Sequence, residues 1–188
     1  MARVLIPLAE GFEELEAVTV IDLLRRAHFE VVGAGLQDGL VKGSRGTVVL
    51  PDSSLDAILD ASFDMIVLPG GMPGSDHLNS DPRIRELLRK MDAERKYIAA
   101  ICAAPKVLAC AGILSGKRVT AFPGVLEQLP AAANVILRSE AVVQDGNIIT
   151  SRGPGTAMDF ALRLIEILGG ERLRAEVEGP LQRSQEGA

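Results

Sequence analysis

The chain has no tryptophan, one tyrosine and five phenylalanines in 188 residues. So few aromatic faces cannot build a platform on which bases or sugars stack. Cysteine is scarce as well, with Cys102 and Cys110 alone. A disulfide framework needs more, and two positions eight apart on one helix lie about 12 Å apart along its axis, too far to bridge. Free thiols point to a reducing compartment, and a cytoplasmic location is expected. Basic excess is missing too: 20 Lys and Arg against 25 Asp and Glu leave a net charge of -5. No basic face is announced for nucleic acid or an anionic membrane. No run approaches the roughly 18 apolar residues of a spanning helix. The opening MARVLIPLAEGFEELEA meets acidic residues too soon for a secretory signal.

What is present is an ordinary globular balance, 47% hydrophobic and 24% charged. It is enough for a sizeable core in one domain spanning 1–188. Short apolar runs alternate with longer periodic ones. Strands are expected at Arg3–Leu8, Phe29–Leu36, Thr47–Leu50, Phe63–Leu68, Tyr97–Ile101 and Arg118–Phe122. Helices are expected at Glu13–Ala27, Pro82–Glu94, Ala103–Ala111 and from Thr156, as cap with Asp159, to Leu168. Gln144-Asp145-Gly146-Asn147 signals a hairpin within Glu140–Thr150. Gly112 and Gly169-Gly170 read as helix stops, and a short helix follows from Glu171. Such alternation predicts an α/β fold with a mostly parallel sheet covered on both faces, its site beyond the C-terminal ends of the strands.

Ala99-Ala100-Ile101-Cys102-Ala103-Ala104-Pro105 is the most informative segment. A nucleophile on a tight strand-to-helix turn needs small residues two positions to either side, and Ala100 and Ala104 stand there. A thiol at that perch feels the helix N-terminus, which favours thiolate. A buried structural cysteine is the bland alternative, and for Cys110, inside an apolar helix, the core reading is taken. The loop Leu68-Pro69-Gly70-Gly71-Met72-Pro73-Gly74 can aim backbone amides at a ligand, either as a plain turn or as an oxyanion hole completed by Ala103 N–H. At about 100° per residue, Glu14, Thr19, Asp22, Arg25 and Arg26 form the polar arc of the first helix. Glu16 falls outside it, beside Val20, Leu23 and Ala27. A carboxylate on a buried face is costly unless paired or protonated, so Glu16 is a candidate partner for Cys102. His28 and His77 are read as exposed residues at a helix end and a helix start.

Four ordered motifs carry a resemblance: Ala9-Glu10-Gly11-Phe12-Glu13-Glu14-Leu15-Glu16, Val67-Leu68-Pro69-Gly70-Gly71, the Cys102 segment, and Thr150-Ser151-Arg152-Gly153-Pro154-Gly155-Thr156. With them the chain resembles the ThiJ/PfpI superfamily, in the branch of the human Parkinson-disease deglycase and bacterial YajL. The resemblance implies a flavodoxin-like three-layer sandwich and a homodimer. It implies Cys102 as nucleophile, Glu16 as protonated acid partner, and amides of Gly71 and Ala103 as oxyanion donors. It sets Arg26 and Arg45 near the site and dimer interface, and Pro154 at the pocket from across that interface. It further implies cofactor-free, metal-free glyoxalase or deglycase action on small dicarbonyls or glycated protein, alongside peroxide sensing and chaperone behaviour. Two departures stand out. Ala103 occupies the place where protease-like members carry His, and Phe122 stands where the human relative has His, as in YajL. Peptidase action is therefore not expected. Peroxide sensing is the alternative to catalysis, and it would add two oxygens selectively to Cys102.

Overall fold

The computed structural model describes residues 1–129 and 134–183. In chain order the first half comprises β1 (Arg3–Leu8), α1 (Glu14–Arg26), β2 (Glu30–Gly35), β3 (Val41–Lys42), β4 (Val48–Val49), β5 (Ser53–Ser54), α2 (Leu55–Ile58), β6 (Met65–Leu68) and α3 (Gly74–Ser80). There follow α4 (Pro82–Ala93), β7 (Tyr97–Ile101), α5 (Pro105–Ala111), β8 (Arg118–Val119), β9 (Ile136–Leu137), β10 (Val142–Asp145), β11 (Ile148–Ser151) and α6 (Ala157–Glu178). One seven-stranded sheet runs in the order β10-β11-β7-β6-β1-β2-β5. All its pairs are parallel except the β10–β11 hairpin. Among its parallel strands the order β2-β1-β6-β7-β11 is the doubly wound flavodoxin-like order.

Because strand side chains alternate between faces, each central strand feeds two cores. Val4, Ile6, Val67 and Ile101 meet Val20 and Leu23 of α1 and Phe160 and Leu164 of α6 on one face. Leu5, Ile66, Leu68 and Ile98 meet Leu87 and Leu88 of α4 and Val107 and Leu108 of α5 on the other. The result is the expected α/β sandwich, with the C-terminal ends of β1, β6 and β7 along one edge.

Four local expectations need correction. The strand expected over Arg118–Phe122 ends at Val119, and β8 pairs with β9 outside the main sheet. Beyond it the backbone turns inward, since Thr120 N–H donates to Thr150 Oγ1 and Phe122 N–H to the Cys102 carbonyl. α3 was not foreseen, because Gly74-Ser75-Asp76-His77 lacks helix formers and Leu78 is its one buried large apolar residue. Thr156 does not cap α6 through its side chain. Its hydroxyl instead meets Ser151 Oγ at 2.7 Å and Gly153 N at 3.2 Å. Cys110 is exposed, not buried. Pro105, Val107, Leu108 and Ala111 form the inner arc of α5, and at 100° per residue Cys110 falls outside it. At Gly170 the backbone leaves the helix (φ 85°, ψ 167°), the stop expected from the glycine pair.

Candidate active site

β7 ends at Ile101 and the chain reverses at once. Ala104 N–H donates to the Ile101 carbonyl at 3.0 Å, and Cys102 N–H donates to the Ser151 carbonyl at 3.0 Å. Between these ties Cys102 takes φ 62°, a left-handed conformation uncommon for a residue with a side chain. Such strain is held only where the surroundings over-determine it. Ala100 and Ala104 are both fully buried, so the small residues foreseen at this elbow are needed by packing.

α1 reaches the elbow through the loop after β6. Glu13 N–H donates to the Gly70 carbonyl at 2.9 Å, and Gly70 N–H returns a bond to Glu16 Oε2 at 2.8 Å. Gly70 cannot be larger. A Cβ there would sit 2.6 Å from Glu16 Oε2 and 2.7 Å from Cys102 Cβ. Gly71 has φ 94°, which favours glycine and turns its amide toward the Cys102 sulfur, a direction shared by the Ala103 amide. Glu16 is fully buried. Among the described residues its Oε1 has no hydrogen-bond partner of good geometry, and Cys102 is the polar side chain beside it.

Burial pushes the Glu16 carboxyl up to about 7, opposed by the Gly70 N–H. Burial, then the charge of an ionised Glu16, pushes the Cys102 thiol up to about 12, opposed by the Ala103 and Gly71 amides. The lowered thiol expected from the helix N-terminus is thus not what the site produces when Glu16 is ionised. α5 starts only at Pro105 and has seven residues, too little dipole to outweigh desolvation and a neighbouring anion. Once the first proton has left near neutrality, the facing acids share the second.

Cys102 is half-buried and opens into a cavity of about 520 Å³. Gly71, Ala103, Arg45, Phe122 and Pro154 line it as well. Pro154 lines the cavity of its own chain. Arg26 does not reach the pocket; it is exposed and pairs with Asp22 at 2.8 Å. His77 is exposed, in the last turn of α3 and not at a helix start, its Nδ1 2.9 Å from the Glu10 carbonyl. It lines a separate cavity beyond β1 and β2. His28 is exposed at the end of α1. Among the described residues no three His, Cys, Asp or Glu side chains converge as metal ligands.

Sequence reasoning missed four polar lining residues, Glu13, Ser44, Lys106 and Gln128. Lys106 was within reach of inference, since a helix opening at Pro105 puts its second residue beside the elbow. Glu13 passed for a first-turn acid, and Gln128 lies in a segment without periodicity.

Fold and elbow together define a class, doubly wound α/β proteins that display one strained cysteine at the C-terminal edge of the sheet. Residues 2–167 match the DJ-1/PfpI family, and the chain belongs to that family. Protein dj-1beta of Drosophila melanogaster is 45% identical over 174 residues, 92% of this chain and 92% of its own. The Parkinson disease protein 7 homolog of Danio rerio is 41% identical over 181 residues, 95% of this chain and 96% of its own. A Caenorhabditis elegans relative named glutathione-independent glyoxalase DJR-1.2 is 37% identical over 180 residues, 96% of this chain and 95% of its own. The crystal structure of Drosophila melanogaster DJ-1beta superposes with a TM-score of 0.93 at 44% identity, covering 98% of this chain and 99% of that one.

Proposed function

We propose that the protein is a cofactor-free enzyme acting on reactive dicarbonyls or their protein adducts, with Cys102 as nucleophile and Glu16 as the acid that keeps its proton. The observation that carries this is the unequal supply of donors. The Gly71 and Ala103 amides both pull the Cys102 thiol down, whereas Glu16 is met by one amide, the Gly70 N–H at Oε2. Hydrogen bonds to the charged form favour it, so these amides draw the shared charge toward sulfur and the proton toward the carboxyl, against the burial that holds the thiol up. The family and a relative named as a glyoxalase support the reading.

With methylglyoxal, the Cys102 thiolate adds to the aldehyde carbon. An S–C bond forms, the carbonyl π-pair moves to oxygen, and the Gly71 and Ala103 amides hold that oxyanion until it takes a proton. Ionised in turn, Glu16 removes hydrogen from that carbon and returns it to the neighbouring one. The product of this internal shift is a thioester of lactate, and water hydrolyses it to lactate and free Cys102. No external oxidant or reductant is consumed. Purified protein given methylglyoxal without glutathione is expected to release lactate, and Cys102→Ser to release none. Lactate no higher than in that variant would end the proposal.

Deglycation of methylglyoxal adducts on protein would use the same addition. Peroxide sensing with chaperone behaviour is the alternative through the same thiolate, recognised by two oxygens gained at Cys102 and not at exposed Cys110. We further place the protein in the cytoplasm, on its two free thiols. We assign it a homodimer, on the exposed apolar residues Leu15 and Val18 of α1.

A further inference from the structure

Lys106 is the pocket residue that neither the elbow nor the proposed chemistry uses. Its side chain is 17% exposed, unusually low for lysine. The ammonium donates to Asp76 at 2.5 Å and to Met72 Sδ at 3.5 Å. Thioether sulfur is a weak acceptor, and an ammonium has three donors, so Asp76 is its one strong partner among the described residues. Asp76 is itself half exposed, which screens its hold on the cation. Arg45 lines the same cavity. It is 80% exposed, and its guanidinium comes no nearer than 4.0 Å to Glu13. Glu13, the carboxylate lining this cavity, accepts from Ser44 Oγ at 2.9 Å. The remaining wall, with Phe122, Val125 and Pro154, is largely apolar. Lys106 and Arg45 each have one carboxylate beside them, Asp76 and Glu13, so what the cavity offers an anion is the Lys106 ammonium itself, held in the wall beside Cys102 with donors to spare.

We infer that Lys106 determines specificity: it directs anionic electrophiles, bearing a carboxylate or phosphate group, to Cys102 in preference to neutral ones of the same size. The inference deepens the proposed function by naming the charge of its substrates, and it rests only on Cys102 being the nucleophile. Apolar walls would hold the carbon body, the amides the reacting oxygen, and Lys106 the remote negative group.

Full-length protein carrying Cys110→Ser is treated in parallel with iodoacetate, an anion, and with iodoacetamide, its neutral counterpart. In both reactions the sulfur of Cys102 forms a bond to the CH₂ carbon and iodide leaves with the C–I pair, so mass spectrometry reads both rates. The ratio of iodoacetate to iodoacetamide rates is expected to fall about fivefold in Lys106→Met, and to be kept in Lys106→Arg. In the wild-type pocket the ratio is expected to fall with added salt, which screens the lysine. A change in sulfur ionisation alters both rates alike and cancels in the ratio. A ratio unchanged in Lys106→Met would overturn the inference, as would both rates falling together. Iodoacetate and iodoacetamide both failing to react would remove the nucleophile and the inference with it. A negative lactate assay beside a lysine-dependent ratio would remove only the dicarbonyl reaction and leave the inference standing.

Discussion

Glu16 lies on the inner face of α1 with no exposed surface, and its folded-state value near 7 stands well above the ordinary 4.5. A shift of that size corresponds to about 3 kcal/mol between the two protonation states. The sign follows from proton uptake. An acid whose value rises on folding binds its proton more tightly in the native state, so stability is lost as pH climbs from 4.5 through 7. Below that window the group costs nothing, and above it the whole penalty is present. Gln at this position keeps an oxygen for the Gly70 N–H and carries no charge. Glu16→Gln is therefore expected to raise the melting temperature by several degrees at pH 8 and by much less at pH 4.5. Melting curves across that range check this; parallel wild-type and variant profiles would show that Glu16 bears no burial penalty.

Among the elements, β1 and β7 run where periodicity placed them, Arg3–Leu8 and Tyr97–Ile101, because strands buried on both faces read as unbroken apolar runs. The inward direction of Glu16 was legible for a related reason: one polar residue out of phase with the arc of α1 marks a buried carboxyl. Small residues around Cys102 likewise mark a tight turn in the sequence itself. Less was legible where apolar residues surround a short helix. In α5 the one polar mark is Lys106, four residues before Cys110 and on its side of the helix, and the apolar run Val107–Ala111 that follows masked it. The end of β8 was hidden because the groups that turn the chain away, Thr150 Oγ1 and the Cys102 carbonyl, lie far along the sequence. The proton sharing of Glu16 and Cys102 depends on desolvation by the assembled core, and no local pattern reports it.

At the scale of the whole molecule, the doubly wound order gathers the ends of β1, β6 and β7, and three distant segments meet within a few ångströms of one sulfur. The outer side of α1 remains apolar. Leu15 is 53% exposed and Val18 47%, with Val48 and Leu50 also exposed. Val18, Val49 and Leu50 line one shallow cavity. Contiguous apolar surface of this kind marks an interaction site, and a second copy is the occupant assigned here. Light scattering at micromolar concentration is expected to give about twice the 19.9 kDa of one chain, and Val18→Glu to lower it to one. A wild-type mass of a single chain would contradict the assignment.

Alkylation of Cys102 by iodoacetamide as a function of pH, in a Cys110→Ser background, tests the shared proton most directly. The account predicts a rate that rises through pH 7 and then levels, as the pair loses its first proton. It predicts that Glu16→Gln abolishes this inflection. A wild-type rate that instead climbs about pH 8.5, the value of a free thiol, and is unmoved by Glu16→Gln, would contradict it.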